Sequence, residues 1–123
     1  MKDITTEQDV KYLVDTFYDK VNKDKQLSPI FNDFAKVDWK KHLPVMYSFW
    51  SSILLGNASY SGSPFLKHIP LPINQSHFNT WIQLFEETIT QNFEGENASE
   101  AIKRAKSIGY IFSSKLNYLK ENK

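Results

Sequence analysis

The spacing of the apolar residues constrains the fold most strongly, because they recur at helical intervals in four separate stretches. Five apolar side chains of the first stretch are spaced to share one face of a helix: Val10, Leu13, Val14, Phe17 and Val21. Similar stripes run through residues 45–55, 76–93 and 98–119. The only strand-like alternation is too brief to build a sheet. The pattern predicts an all-α domain with about four substantial helices and two short ones.

Capping and breaking residues predict where these helices begin and end. Thr5, followed three residues later by a glutamine, forms a capping-box pattern before the first helix, which should end near Asp24. The segment around Pro29 reads as a short helical turn followed by a loop. Gly56 occupies a natural C-terminal cap position. Asn97, followed by a glutamate three residues later, should open the last helix.

The middle of the chain, residues 56–75, is rich in proline and lies between two aromatic helices. Ser63 before Pro64 predicts a short helix, and Pro70 prevents that helix from continuing. A plain four-helix bundle would use short connections here. A looser segment suits a helical domain that opens around a ligand.

The composition narrows the classes of function. At 123 residues the chain is expected to form one domain spanning residues 1–123. The net charge of +1 indicates no basic face, which weighs against nucleic acid as the main partner. The lack of cysteine excludes disulfides, thiolate catalysis and cysteine-bound metals. The start MKDITTEQDV is too polar for a signal peptide, and no long apolar run occurs, so we expect a cytoplasmic protein with no membrane partner.

The three histidines, His42, His68 and His77, are too widely spaced for a typical zinc site. A haem needs a single axial imidazole, an apolar slot and a polar group on the opposite side. His68 ends the short helix with apolar neighbours, which suits the axial role. On spacing alone, a half-exposed histidine at a helix C-terminus is the simpler interpretation.

Tyr18 and Trp81 lie on the apolar faces of two helices and carry polar groups. A buried indole N–H must find a partner, and a ligand is one candidate among several. From the pattern alone, a tyrosine at the edge of the core and a packed tryptophan are the simpler interpretations.

Four segments, taken in this order and spacing, resemble the group III truncated haemoglobins: FYDKVNKDKQLSPIFNDF, DWKKHLPVMYSFWSSILLG, YSGSPFLKH and HFNTWIQLFEET. The resemblance covers roughly residues 8–118. It implies a truncated globin fold, a two-over-two helical sandwich that encloses haem b.

The resemblance also implies a role for individual residues. His68 matches the proximal haem ligand, Tyr18 the distal tyrosine that donates to the bound ligand, and Trp81 the distal tryptophan. His42 matches the distal histidine, which acts as a gate or pocket wall. Phe31 matches a phenylalanine that wedges against the haem. Five further residues are expected to contact the haem: Phe49, Trp50 and Ile53 as lining, and Lys67 and Tyr60, which are near His68 in sequence, as propionate partners.

The implied function is binding of O₂, CO and NO at a five-coordinate haem iron, most simply by a monomer. Its physiological use could be NO dioxygenation, reactive-species chemistry or ligand delivery, and turnover would need an external electron donor. Two alternatives stay open: a haem-free helical interaction module with globin-like packing, and a haem-based sensor that acts through a separate partner.

Pro44 bears on how mobile His42 is. Because proline breaks a helix interior, we expect the regular helix to begin near Pro44, with Asp38 capping at most a preliminary turn. His42 would then lie on a loose lead-in and act as a gate.

Overall fold

The computed structural model describes residues 1–34, 36–56 and 74–121. These residues form four α-helices: α1 (Glu7–Lys23), α2 (Trp39–Leu55), α3 (Gln75–Asn92) and α4 (Glu96–Glu121). A short π-helix, Ile30–Phe34, lies between α1 and α2. No strand occurs in the described ranges, so the all-α prediction is confirmed there. The predicted helix opened by Ser63 and Pro64 lies outside the described residues.

The helices pack as two pairs, one formed by α1 and α2 and the other by α3 and α4. The first pair lies on the second, because α1 also contacts α3 and α2 also contacts α4. This is the predicted two-over-two arrangement. Within the described ranges, none of the helices is both long enough and apolar enough to cross a membrane.

Stacked aromatic rings fill the core where the two pairs meet. Phe85 of α3 is fully buried. Trp50 of α2 stacks on it with ring centroids 4.6 Å apart, and Trp81 stacks on it at 5.8 Å. Phe17 of α1 meets the same ring edge-on at 5.0 Å. Three helices are therefore fixed to one another through a single phenylalanine.

The first helix is capped one residue later than predicted. The Thr6 hydroxyl, not that of Thr5, accepts the N–H of Asp9 at 3.1 Å. The Asp9 carboxylate accepts the N–H groups of Thr5 and Thr6 in return. An aspartate at the third helical position completes the box more compactly than the predicted glutamine. The predicted helix end at Asp24 and the cap at Gly56, with φ 76°, are confirmed.

The expectation that α2 becomes regular only near Pro44 is wrong. Asp38 is the N-cap, and its carbonyl accepts the N–H of His42 at 2.8 Å. Pro44 lies inside the helix, where its missing N–H leaves the carbonyl of Lys40 without the usual intrahelical donor. Both residues are exposed, so water can serve that carbonyl. His42 therefore belongs to the helix itself, in its first turns.

The N-terminal segment closes over the start of α4. The Asp3 carboxylate accepts the N–H groups of Asn97 and Ala98 at 3.0 and 2.8 Å. Gly95, with φ 138°, brings the backbone so close that an added Cβ would lie 2.5 Å from Asp3. A residue far away in sequence thus caps α4, and the helix begins at Glu96 instead of after Asn97.

Candidate functional site

Four side-chain rings meet on one side of the molecule, and we call them the aromatic cluster: Tyr18, Phe31, Trp39 and His42. Every pair of these rings has centroids within 6.5 Å of each other. Tyr18 is the innermost, with 5% of its surface exposed, and the other three are half-buried. The cluster forms a continuous aromatic wall that extends from the core to the surface.

Three elements bring the cluster together. The fourth turn of α1 carries Tyr18, and the π-helix carries Phe31. The start of α2 carries Trp39 and His42, which share a helix face because they are three residues apart. The wall therefore includes a π-helix, and π-helices are frequent at functional sites in other proteins.

The hydroxyl of Tyr18 is the central polar group of the wall. Burial raises the pKa of Tyr18 well above its usual value, and a side-chain hydrogen bond with Trp81 partly offsets this. An indole N–H can only donate, so the Tyr18 oxygen is the acceptor. The Tyr18 proton is consequently directed away from Trp81 and is available to another acceptor.

Trp81 is held by apolar contacts on its other faces. Its ring lies 5.7 Å from Phe17 in an edge-on contact and stacks on Phe85. It is half-buried. The core therefore fixes the direction in which the Trp81 N–H points.

The Nε2 atom of His42 is buried although the residue as a whole is half-buried. Its ring meets Tyr18 edge-on at 5.5 Å. A polar nitrogen is thus turned toward the interior of the wall, beside the tyrosine.

The predicted lining residues of α2 lie at different depths. Trp50 is 2% exposed and stacks on Phe85 in the core. Phe49 meets Trp50 edge-on at 5.2 Å, and both Phe49 and Ile53 are half-buried against the core. These two present part of their apolar surface outside the packed interior.

The structure therefore brings together Tyr18, Phe31, His42 and Trp81, which were singled out on the sequence. Three other predicted haem contacts lie outside the described residues: Tyr60, Lys67 and His68.

Sequence reasoning missed Trp39, which touches all three other rings of the cluster. Its position carried a usable signal: it follows the N-cap Asp38 and precedes His42 by three residues, so it had to share the face of His42. Because the helix was expected to start near Pro44, Trp39 and His42 were not placed on one helix face.

Comparisons with known proteins agree on one family. Residues 2–111 match the family described as Bacterial-like globin. The group 3 truncated hemoglobin ctb of Campylobacter jejuni subsp. jejuni is 36% identical over 114 residues, which are 89% of this chain and 90% of that protein. The crystal structure of group III truncated hemoglobin from Campylobacter jejuni superposes with a TM-score of 0.84 at 37% identity, and covers 94% of this chain and 95% of that one.

The matched residues span the aromatic cluster and all four helices. Identity at this level over nine-tenths of both chains, together with the agreement in fold, extends well beyond a shared helical architecture. The chain belongs to the bacterial-like globins and, within them, to the group III truncated haemoglobins.

Proposed function

We propose that this globin holds a diatomic ligand tightly through the hydroxyl of Tyr18, with His68 as the axial ligand of haem b. Membership of the globin family already implies a haem cofactor and the binding of diatomic gases. The observation that supports the finer proposal is the burial of Tyr18 in the aromatic cluster, where its ring meets His42 edge-on and lies beside the buried Nε2 of that histidine.

The described residues fit a haem pocket. A wall of four rings offers an apolar surface against which a macrocycle can pack, and its polar groups are few. The buried Nε2 of His42 and the Tyr18 hydroxyl are the polar groups of that wall that we propose face the ligand. Phe31, Phe49 and Ile53 would pack against the cofactor, with Trp50 behind them, and Lys67 and Tyr60 would meet its propionates.

When bound, haem supplies an iron with an open coordination position for O₂, CO or NO. The Tyr18 hydroxyl would donate a hydrogen bond to that ligand and keep its own proton. A tyrosine hydroxyl is protonated at neutral pH, and the raised pKa of Tyr18 extends this to alkaline pH, so the donor is present throughout the physiological range. The apolar surroundings strengthen the bond because water does not compete for it.

Trp81 acts on the ligand through Tyr18. By donating to the Tyr18 oxygen, the indole fixes the direction of the hydroxyl and polarises its O–H bond. A donor of this kind in a dry pocket contributes about 1.5–3 kcal/mol to an acceptor that carries charge. That corresponds to roughly ten- to hundredfold slower loss of the ligand.

Slow ligand loss suits scavenging or the detoxification of NO and reactive species better than reversible transport. Scavenging by binding consumes no electrons, whereas repeated turnover in detoxification would require an external reductant. His42 acts in this scheme as a wall of the pocket whose movement controls entry.

The test is the absorbance spectrum of the purified protein after haemin addition. We expect a Soret band that is lost in His68→Ala and retained in His77→Ala, a matched control at the histidine that caps α3. A colourless wild type that takes up no haemin would favour the haem-free interaction module. A Soret band that survives unchanged in His68→Ala would contradict the axial role of His68.

A further inference from the structure

We propose that Trp39 is a positioning residue of the aromatic cluster, and that its hydrogen bond to Asn32 is a latch that must open for the ligand to enter. The inference rests on the proposed function, because it concerns the same pocket. It is carried by two observations: the contacts of the Trp39 ring and the bonds that hold Asn32.

The half-buried Trp39 ring is in contact with every other ring of the cluster. Its centroid lies 5.4 Å from Tyr18, 5.5 Å from His42 and 5.8 Å from Phe31, on which it stacks. Tyr18 contacts its three partners about as closely, at 5.4 to 5.9 Å, so the buried tyrosine and Trp39 are the two rings that hold the cluster together. Displacing the Trp39 ring would remove contacts from both polar members of the wall and leave Tyr18 less shielded from solvent.

One directional bond fixes that ring. The Trp39 indole N–H donates to the side-chain oxygen of Asn32 at 3.0 Å. Asn32 belongs to the π-helix and Trp39 to the first turn of α2. Next to it, the N–H of Val37, in the connection that leads into α2, donates to the carbonyl of Phe31 at 2.9 Å. The side-chain bond is therefore the part of this junction that can open without moving the backbone.

Asn32 is held in the correct orientation to accept. Its amide nitrogen lies 2.9 Å from the side-chain oxygen of Asn22, and 3.0 and 3.1 Å from the carbonyl and the hydroxyl of Ser28. These acceptors fix which end of the amide points toward them. The oxygen of Asn32 must then face Trp39, so Asn32 is oriented to accept from the indole without the help of Trp39 itself.

The position of the latch suits repeated opening. Asn32 is exposed, whereas Tyr18 at the other end of the cluster is buried. When an exposed hydrogen bond breaks, water replaces both partners, so the open state is only several-fold less populated than the closed one. Breaking a buried bond would be far rarer. The latch can consequently open often and reclose, with the Tyr18 hydroxyl kept dry in between.

The latch has a kinetic signature that separates it from a ligand-binding donor. If the closed latch stabilises the free and the ligand-bound protein equally, removing it lowers the activation free energies of ligand entry and of ligand exit by the same amount. The two rate constants then rise together and the Kd stays constant. Loss of a donor such as Tyr18 instead raises the dissociation rate and the Kd.

The test compares Asn32→Ala and Trp39→Phe with Asn79→Ala, which removes another exposed asparagine that accepts a side-chain bond on α3. In the haem-loaded ferrous protein, we expect both latch variants to raise CO association and dissociation about three- to tenfold. The Kd should stay within about twofold, and Asn79→Ala should match the wild type.

A second readout is independent of gas binding. The chain has three tryptophans, so its NMR spectrum shows three indole N–H signals, and Trp39→Phe identifies one of them. We expect hydrogen exchange of that signal to accelerate in Asn32→Ala and to stay unchanged in Asn79→Ala.

The possible failures are distinguishable. A wild type without a Soret band would overturn the proposed function and the latch together. A normal Soret band with CO rates in both latch variants equal to those of Asn79→Ala would overturn the latch alone. A change confined to the dissociation rate would overturn it as well, because Trp39 would then act on the bound ligand.

Discussion

Tyr18 and Tyr47 show how differently two tyrosines are used in one small domain. Tyr18 is buried, and its oxygen accepts from an uncharged indole. Tyr47 of α2 is half-buried and donates to the Asp15 carboxylate of α1. Burial, followed by the hydrogen bond and charge of Asp15, raises the pKa of Tyr47 to about 12. The first hydroxyl suits a ligand, whereas the second joins two helices.

The Tyr47 bond predicts a pH dependence of stability. The folded state holds the hydroxyl protonated up to a pKa of about 12, whereas the unfolded chain releases the proton at its ordinary value near 10. A raised pKa gives stability that is fully present below pH 10 and is lost as the pH rises toward 12. We therefore expect Tyr47→Phe to be less stable than the wild type by about 1 kcal/mol at pH 8.

Urea denaturation at pH 8 and at pH 11 measures this difference. The gap between wild type and Tyr47→Phe should shrink at the higher pH. Tyr110→Phe is a suitable control, because Tyr110 is 71% exposed. A gap that stays constant between the two pH values would refute the role assigned to the Asp15 contact.

The sequence was enough to predict individual residues of the site, but not the hydrogen bonds and contacts between them. Tyr18, Phe31, His42 and Trp81 were all singled out through the resemblance, and their roles toward haem stay predictions. That Trp81 donates to Tyr18 depends on how α1 and α3 cross, which neither periodicity nor capping specifies. Trp39 was missed because a rule about proline misplaced the helix start.

At the scale of single elements, the start of α2 changes the account of His42. A helical histidine, held by ring contacts on three sides, has less freedom than one on a loose lead-in. Its motion as a gate must then involve the turn that carries Trp39. Proline was a poor guide here because Lys40 and Pro44 are both exposed near the start of the helix, where water can replace the missing donor.

We expect His42→Ala to change ligand entry more than the stability of the bound state. Removing the ring opens space beside Tyr18, while the Tyr18 donor remains. Flash photolysis of the CO complex measures entry, and O₂ dissociation measures the bound state. His77→Ala is the matched control. A large change in O₂ dissociation with unchanged entry would refute the gate.

The cap of α4 predicts an unequal pair of glycine substitutions. Gly56 and Gly95 both have positive φ, but φ 76° at Gly56 is close to the left-handed region, which alanine enters at roughly 1 kcal/mol, whereas φ 138° at Gly95 lies outside it and strains alanine further. Among the described residues nothing lies within 4 Å of a Cβ at Gly56, whereas a Cβ at Gly95 would meet Asp3. Thermal unfolding should therefore show Gly95→Ala to be less stable than Gly56→Ala by about 1–2 kcal/mol, as Asp3 is pushed off its N–H donors. Equal losses would mean that the Asp3 cap contributes little.

At the scale of the whole molecule, helical periodicity was enough to predict an all-α chain and the approximate bounds of four helices. It did not specify which helices pair, and the two-over-two layering came from the resemblance. The layering matters for function because α1, α2 and α3 each contribute to one site. The aromatic residues contribute both to the packing of the helices and to the site. Phe85 joins the helices, and the neighbouring Trp81 contacts the Tyr18 hydroxyl.

The most direct test of the account is the O₂ dissociation rate of the haem-loaded ferrous protein in a double-mutant cycle of Tyr18→Phe and Trp81→Phe. We expect Tyr18→Phe to raise the rate about ten- to hundredfold. Trp81→Phe should raise it less, and the double variant should stay within about twofold of Tyr18→Phe, because Trp81 acts through the hydroxyl that is already gone. An unchanged rate in Tyr18→Phe, or a Trp81→Phe effect that is undiminished in the absence of the hydroxyl, would contradict the account.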